Sequence, residues 1–141
     1  MRPRDVAVGV LYHPPTGEVL LHLRDSDAAV SPGQWAFLGG RTEPEDGGDP
    51  VATWLRELRE EVGVSLDPTC VVPVTDGTDA RGVRYRVFAA AWPALDDFVV
   101  TEGQRVAWFP LEEALALPDL APTARLDLLA FRARQWARAR T

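Results

Sequence analysis

Lysine is missing from this chain of 141 residues, and all 15 of its basic residues are arginine. With 21 acidic residues, the net charge is −6. A general nucleic-acid binder carries a basic face, so this balance argues against that class of protein. A small phosphorylated substrate remains possible, because bound cations supply local positive charge. The planar guanidinium group of arginine suits bidentate contacts with phosphate. A bias in genomic composition, however, explains the absence of lysine more simply.

Cysteine and histidine are also scarce. Cys70 is the single cysteine, which excludes an internal disulfide and agrees with a reducing, cytoplasmic location. Its apolar run, Cys70-Val71-Val72, predicts a buried, inert thiol. Two histidines, His13 and His22 on separate predicted strands, are too few for a His/Cys zinc site. We expect no membrane association, because the chain lacks a run of about 18 apolar residues and a signal-peptide core.

One domain is expected over residues 1–141, because apolar residues make up 46% of the chain and no repeat or linker interrupts it. Short β-rich runs surround one helix in the middle and one at the end, which predicts an α/β/α layered domain. The strands are predicted at 6–12, 19–24, 35–38, about 71–74, 83–92 and 105–109.

Three helices are predicted. The first follows Asp49-Pro50, typical of an N-cap and a first-turn proline, and runs to about Val62, with Gly63 as its stop. The second is a short turn over residues 111–115. The third follows Pro122, and its helically spaced apolar residues predict a stripe that packs on the core. That stripe consists of Leu126, Leu129, Ala133 and Trp136.

The first helix carries the candidate chemistry. At about 100° per residue, Val51, Leu55, Leu58 and Val62 share one core-facing stripe. Three glutamates share one flank of it: Glu57 and Glu61 lie four apart at its border, and Glu60 lies further toward solvent. Like charges at this spacing repel by a few tenths of a kcal/mol per pair, roughly. A hard cation such as Mg²⁺ would offset that repulsion. A solvated charged helix is the alternative.

The wider context of this helix resembles a known family. Gly39-Gly40 and a polar loop precede the segment from Arg56 to Val64, Arg-Glu-Leu-Arg-Glu-Glu-Val-Gly-Val. Together they resemble the Nudix box, G-x5-E-x7-R-E-U-x-E-E-x-G-U, where U is a bulky aliphatic residue. The helical half matches at every specified position. The similarity extends over nearly the whole chain, including the strand before Gly39-Gly40 and the segment 108–113.

The first half of the box departs from the pattern. Counting back from Arg56, the box places its glutamate and glycine where this chain has Gly48 and Thr42. An insertion of two residues in the loop restores Gly40 as the leading glycine. The loop glutamate is then either missing or replaced by Glu45 or Asp46.

The resemblance implies a mixed sheet between helices and Mg²⁺-dependent hydrolysis, with Mn²⁺ as a substitute. Water attacks phosphorus and breaks a phosphoanhydride bond in a nucleoside diphosphate derivative or a nucleoside triphosphate. The implied metal ligands are Glu57, Glu60, Glu61 and the carbonyl of Gly39, with Arg56 orienting the glutamates.

The general base has three candidates: Glu57, Glu60 and a loop acid outside the box. Glu102, in Thr101-Glu-Gly-Gln104, resembles the loop of MutT-like members that supplies an extra metal-binding glutamate. A turn residue beside Gly103 is the alternative interpretation.

Substrate contacts are less well defined. Arg24 and Arg41 are candidates for phosphate contact, although exposed arginines are commonly only solvated. Trp35 is a candidate for stacking on a base, although an aromatic residue of this kind commonly packs in a core. We expect a small nucleotide as partner, no nucleic-acid polymer, and a monomer or homodimer. A nucleotide sensor that has lost catalysis is the rival class.

Overall fold

The computed structural model describes residues 5–94, 98 and 105–139. The strands within these residues are β1 (Val6–His13), β2 (Glu18–Leu23), β3 (Trp35–Ala36), β4 (Leu38–Arg41), β5 (Val72–Thr78), β6 (Arg84–Ala91) and β7 (Arg105–Phe109). The helices are α1 (Pro50–Val62), α2 (Leu111–Leu115) and α3 (Pro122–Ala139), with 3-10 turns at Pro44–Asp46 and Pro68–Cys70. None of the described helices has both the length and the apolar character needed to cross a membrane.

The strands form one mixed sheet that opens between β1 and β2. β1 runs parallel to β6 along nearly its full length, whereas it pairs with β2 only where Tyr12 and His13 meet Val19 and Glu18. The remainder of that edge of β1, Val6 to Gly9, pairs with β4, and β3 pairs with β2. The segment from β3 to β4 therefore crosses the opening and carries Gly39-Gly40 through the middle of the sheet.

Alternate side chains of the strands build a separate core on each face of the sheet. On β1, Ala7 and Leu11 point to the α1 side, and Val10 points to the α3 side. On β6, Phe88 points to the α1 side and Ala89 points to the α3 side. The α/β/α layering predicted from the sequence is confirmed.

Helix α1 begins and ends where the sequence predicts. The Asp49 side chain accepts a hydrogen bond from the backbone N–H of Val51 at 3.0 Å, and Pro50 occupies the first turn. At the other end Gly63 adopts φ 71°, and its N–H donates to the carbonyl of Arg59 at 3.1 Å. These caps define the register in which α1 presents its glutamates.

The core stripe predicted for α3 is wrong. Leu126 and Trp136 are 67% and 62% exposed, and Leu129 and Ala133 are exposed as well. The buried face consists of Ala124, Leu128 and Phe131, which have the same helical spacing about half a turn away. Both faces of α3 carry apolar residues at core spacing, so periodicity alone does not choose between them.

Two smaller predictions also need correction. Cys70 is exposed, because it ends a 3-10 turn that precedes β5, which itself begins at Val72 and runs on to Thr78. The strand predicted over 35–38 is divided into β3 and β4, and β4 continues through Gly39-Gly40 to Arg41.

The approach of α1 to β1 makes Gly9 intolerant of a side chain. A Cβ there would lie 2.4 Å from Cε2 of Trp54 and 2.7 Å from the carbonyl oxygen of Phe88. Trp54 is fully buried, and its Nε1 donates to the carbonyl of Leu38 at 3.1 Å. We expect Gly9→Ala to lower the free energy of unfolding by about 1–3 kcal/mol, measured by urea denaturation.

An exposed substitution, Ser65→Ala, is the matched control and should change that free energy by less than about 0.5 kcal/mol. Wild-type stability in Gly9→Ala would show that Trp54 can move aside.

Candidate active site

Glu61 joins α1 to both sides of the opening in the sheet. Its side chain is 3% exposed, and Oε1 accepts a hydrogen bond from the backbone N–H of Gly39 at 3.0 Å. Oε2 lies 3.4 Å from Nδ1 of His22, which projects from β2. Sequence analysis did not place His22 here, although the alternation along β2 puts it on the same face as Leu20. The carboxylate thus lies between two strands that do not pair with each other at this point.

Gly39 and Gly40 allow the backbone to come this close to the helix. A Cβ at Gly40 would lie 2.5 Å from Oε1 of Glu57. A Cβ at Gly39 would lie 2.2 Å from the carbonyl oxygen of Ala7, and Gly39 also adopts φ 151°. A side chain at Gly40 would displace Glu57, whereas one at Gly39 would push β4 away from β1.

Burial raises the pKa of the Glu57 carboxyl, whose side chain is 12% exposed. The positive charge of Arg56 lowers this pKa, and the negative charge of Glu60 raises it. Glu57 and Glu61 also lie within hydrogen-bonding reach of each other. Two neighbouring carboxylates in a partly buried cleft repel each other. A cation bound between them would reduce this repulsion.

Arg56 is the centre of a buried network under these glutamates. Its Nε and Nη2 donate to the two oxygens of Asp46 at 2.9 and 3.2 Å, and Nη2 also donates to the carbonyl of Arg41 at 2.9 Å. Nη1 donates to Oε1 of Glu57 at 3.2 Å and to Oε2 of Glu60 at 3.0 Å. The guanidinium group of Arg56 therefore orients two of the helix glutamates and anchors the loop before α1.

The Asp46 carboxylate, which pairs with Arg56, is also fixed by further hydrogen bonds. Its Oδ2 accepts hydrogen bonds from the backbone N–H of Glu43 and from Oγ1 of Thr53, each at 2.8 Å. The hydrogen bond from Arg56 is the largest of the effects that lower the pKa of Asp46 to about 2. The Arg56 pKa is raised in turn by Asp46.

This network favours Asp46 over Glu45 as the loop acid that corresponds to the box glutamate. Five residues separate Gly40 from Asp46, as the box requires, and the two extra residues fall between Asp46 and Arg56. Gly47 and Gly48, both with positive φ, form the turn there. Glu45, by contrast, is 68% exposed and lies 3.9 Å from Nε of Arg56.

Two connected hollows open beside these residues. A cleft of about 270 Å³ contains the carboxylates of Glu57 and Glu61. A second pocket of about 250 Å³ leads away from it toward α3, and Arg24 lines both. Arg24 is anchored by donation from its Nε to the carbonyl of Val30 at 2.7 Å, and the exposed Arg41 lines the second pocket. Both arginines therefore lie where a ligand could pass from one hollow to the other.

The remaining predicted site residues differ in placement. Glu60 lies at the rim, with its side chain 50% exposed. Trp35 is in the core, 4% exposed, with the edge of Phe109 on its ring and the guanidinium of Arg105 at 5.2 Å. This placement corresponds to core packing. Glu102 lies outside the described residues.

The described residues contain no group of three His, Cys, Asp or Glu side chains already arranged as a metal cage. Glu57 and Glu61 nevertheless supply two carboxylates to one cleft, and hard oxygen donors of this kind suit Mg²⁺, which usually retains several waters. The residues present therefore fit a cation that shares its remaining ligands with water and phosphate.

Comparison with known proteins agrees with this arrangement. The NUDIX domain family model matches residues 3–130, so the chain belongs to the Nudix family and is a Nudix hydrolase. A relative from Enterobacter sp. (strain 638), nucleoside triphosphatase NudI, is 33% identical over 139 residues, covering 89% of this chain and 94% of its own.

Two solved structures are also similar in fold. The Escherichia coli ORF135 protein has a TM-score of 0.70 at 29% identity, covering 95% of this chain and 91% of its own. The NUDIX domain of Shewanella oneidensis NrtR, solved with ADP ribose, has a TM-score of 0.75 at 24% identity, covering 96% and 90%.

The Arg56–Asp46 pair generates a prediction about stability and pH. Asp46→Asn leaves the buried guanidinium without its carboxylate, so we expect a loss of about 3 kcal/mol in the free energy of unfolding, the scale for breaking a buried ion pair. Because the folded pKa of Asp46 is about 2 against an ordinary value of 3.8, its contribution is present above about pH 4 and is lost toward pH 2. Denaturant titrations from pH 2 to 7 measure both effects.

Glu45→Gln is the matched control from the same loop and should leave the pH dependence of unfolding unchanged. If Glu45→Gln were as destabilising as Asp46→Asn, the assignment of the loop acid would be wrong.

Proposed function

We propose that this chain hydrolyses a phosphoanhydride bond of a nucleoside triphosphate in a reaction that requires Mg²⁺. The observation that carries the proposal is the cleft in which Glu57 and Glu61 meet Gly39, supported from below by the Arg56–Asp46 network. The triphosphate class is supported by the NudI relative, whose name describes a nucleoside triphosphatase.

Glu57 and Glu61, assisted by Glu60 and the carbonyl of Gly39, would hold the metal. When bound, Mg²⁺ neutralises phosphate charge and helps align the polyphosphate for in-line displacement. Glu61 is oriented for this role because the Gly39 N–H donates to its Oε1, while Nδ1 of His22 lies 3.4 Å from its Oε2. Glu57 and Glu60 are oriented by the same Nη1 of Arg56.

Water then attacks phosphorus, a P–O bond to the leaving phosphate group breaks, and one proton of the water must be accepted. Glu57 is one candidate for this acceptor, because its carboxylate lines the same cleft as Glu61. Glu60 and Glu102 are the alternatives. Arg24 and Arg41 are positioned to contact the anionic chain between the two hollows.

Metal dependence tests the proposal directly. Purified protein is incubated with each common nucleoside triphosphate and with Mg²⁺, Mn²⁺ or excess EDTA, and the products are identified by mass. We expect turnover with either metal and none with EDTA, because clustered carboxylates repel a triphosphate that no cation bridges. Full activity in EDTA would contradict the metal role, and binding without turnover would support a nucleotide sensor.

Substitution of the helix glutamates tests the site itself. We expect Glu57→Gln and Glu61→Gln each to lower kcat by at least about a hundredfold, because each change removes ligand charge while keeping the shape of the side chain. Circular dichroism checks that the fold is retained. The exposed Glu113→Gln removes the same charge from α2 and should keep wild-type kcat. Near-normal turnover in both site variants would place the chemistry elsewhere.

A further inference from the structure

His22 is the one polar side chain in the run from Val19 to Leu23 on β2. It points to the α1 side of the sheet, as Leu20 does, and it is 3% exposed. An imidazole costs more to bury than an aliphatic side chain of similar size, unless a polar group faces it. Packing alone therefore does not account for a histidine at this position.

The sheet holds the backbone of His22 on both edges. His22 is in register with Ala36 of β3 on one side and with Val106 of β7 on the other. A strand that is paired on both sides has little freedom to move. From this fixed origin the imidazole lines the cleft that contains the carboxylates of Glu57 and Glu61.

Glu61 needs hydrogen-bond donors because of its place on α1. It lies in the last turn, just before Val62, where unpaired carbonyl groups form the negative end of the helix. A carboxylate is disfavoured there, and this one is also 3% exposed. The N–H of Gly39 donates to Oε1 at 3.0 Å, and Nδ1 of His22 lies 3.4 Å from Oε2. The two contacts come from different strands, β4 and β2.

Two contacts on different oxygens define the plane of the Glu61 carboxylate. One hydrogen bond alone leaves the group able to turn about its last side-chain bond, because that torsion has a broad energy profile. Nδ1 of His22 can supply the second contact as a donor when it carries the ring proton. The separation of 3.4 Å is longer than the usual N–H···O distance, and contacts in active sites commonly shorten when substrate is bound.

We infer that His22 is a positioning residue, whose Nδ1–H fixes the plane of the Glu61 carboxylate and thereby strengthens the binding of a divalent cation in the cleft. A donor that orients a ligating carboxylate lowers the cost of arranging the ligand, and loss of such a donor typically weakens metal binding by about 10- to 100-fold. The inference rests on the cation of the proposed hydrolysis, but it concerns binding of that cation and not turnover.

Substitutions that keep or remove the donor test this role. In His22→Asn the side-chain amide can place an N–H close to the position of Nδ1, whereas His22→Leu fills the space without a donor. Binding of Mn²⁺ to each purified protein, without nucleotide, is measured from the electron paramagnetic resonance signal of free Mn²⁺. We expect His22→Leu to weaken this binding at least about tenfold and His22→Asn to remain close to wild type.

His13→Leu is the matched control, because it removes the only other histidine of the chain. Nδ1 of His13 lies 3.1 Å from the carbonyl oxygen of Trp92, at the last residue of β1. Its affinity for Mn²⁺ should equal that of wild type. Glu61→Gln shows that the measured site is the cleft, and it should weaken Mn²⁺ binding at least as much as His22→Leu does.

Stability separates a positioning role from a packing role. A leucine is no costlier to bury than an imidazole, so we expect His22→Leu to keep the wild-type Tm in EDTA although it binds Mn²⁺ more weakly. Mg²⁺ should raise the Tm of wild type by more than it raises that of His22→Leu at the same concentration. Equal Mn²⁺ affinity in the two proteins, or no saturable binding to wild type, would overturn the inference.

The tautomer of His22 in the wild-type protein gives a test that needs no substitution. Because the chain has only two histidines, His13 and His22, nuclear magnetic resonance of the labelled ring nitrogens can be assigned with one variant. We expect a proton on Nδ1 of His22. A ring protonated only on Nε2 would place two acceptors face to face and would contradict the positioning role.

Kinetics keep the inference distinct from the proposed function. His22→Leu should need at least about tenfold more Mg²⁺ for half-maximal turnover, and its kcat at saturating Mg²⁺ should return toward wild type. A loss of kcat that excess Mg²⁺ does not restore would place His22 in the reaction itself and overturn the inference. If wild type binds Mn²⁺ but hydrolyses nothing, the proposed function fails, and weaker Mn²⁺ binding by His22→Leu still supports the positioning role.

Discussion

The close approach of helix α1 to the Gly39-Gly40 backbone is the constraint on which the rest of the site depends. Glu61 accepts from the N–H of Gly39 at 3.0 Å, and a Cβ at Gly40 would collide with Glu57 while one at Gly39 would collide with the backbone of β1. The approach is possible because β1 and β2 separate, so that β4 enters between them. The fold thus places its anionic cleft where β1 and β2 separate.

The electrostatic cost of that cleft is offset mainly by one guanidinium. Arg56 contacts Asp46 with two nitrogens and reaches Glu57 and Glu60 with the third. A single buried cation therefore orients several acids without neutralising all of them. The negative charge that remains beside Glu61 is the feature on which the proposed Mg²⁺ site rests.

The sequence by itself determined the local elements and the identity of the helix that carries the candidate site. Asp49, Pro50 and Gly63 set the bounds of α1 because capping depends on neighbouring backbone groups, and alternation along the strands determined which residues face each layer. The helical half of the Nudix box is likewise a local pattern, so it could be identified without coordinates.

Only the tertiary structure decided which of several equivalent local patterns is used. Both faces of α3 carry helically spaced apolar residues, and packing against the sheet selected the face with Leu128 and Phe131. Glu45 and Asp46 are adjacent acids in a loop of altered length, and the position of Arg56 selected Asp46. His22 joined the site because β2 borders the opening in the sheet. Each choice depends on contacts between residues distant in the chain, which local propensity and spacing do not encode.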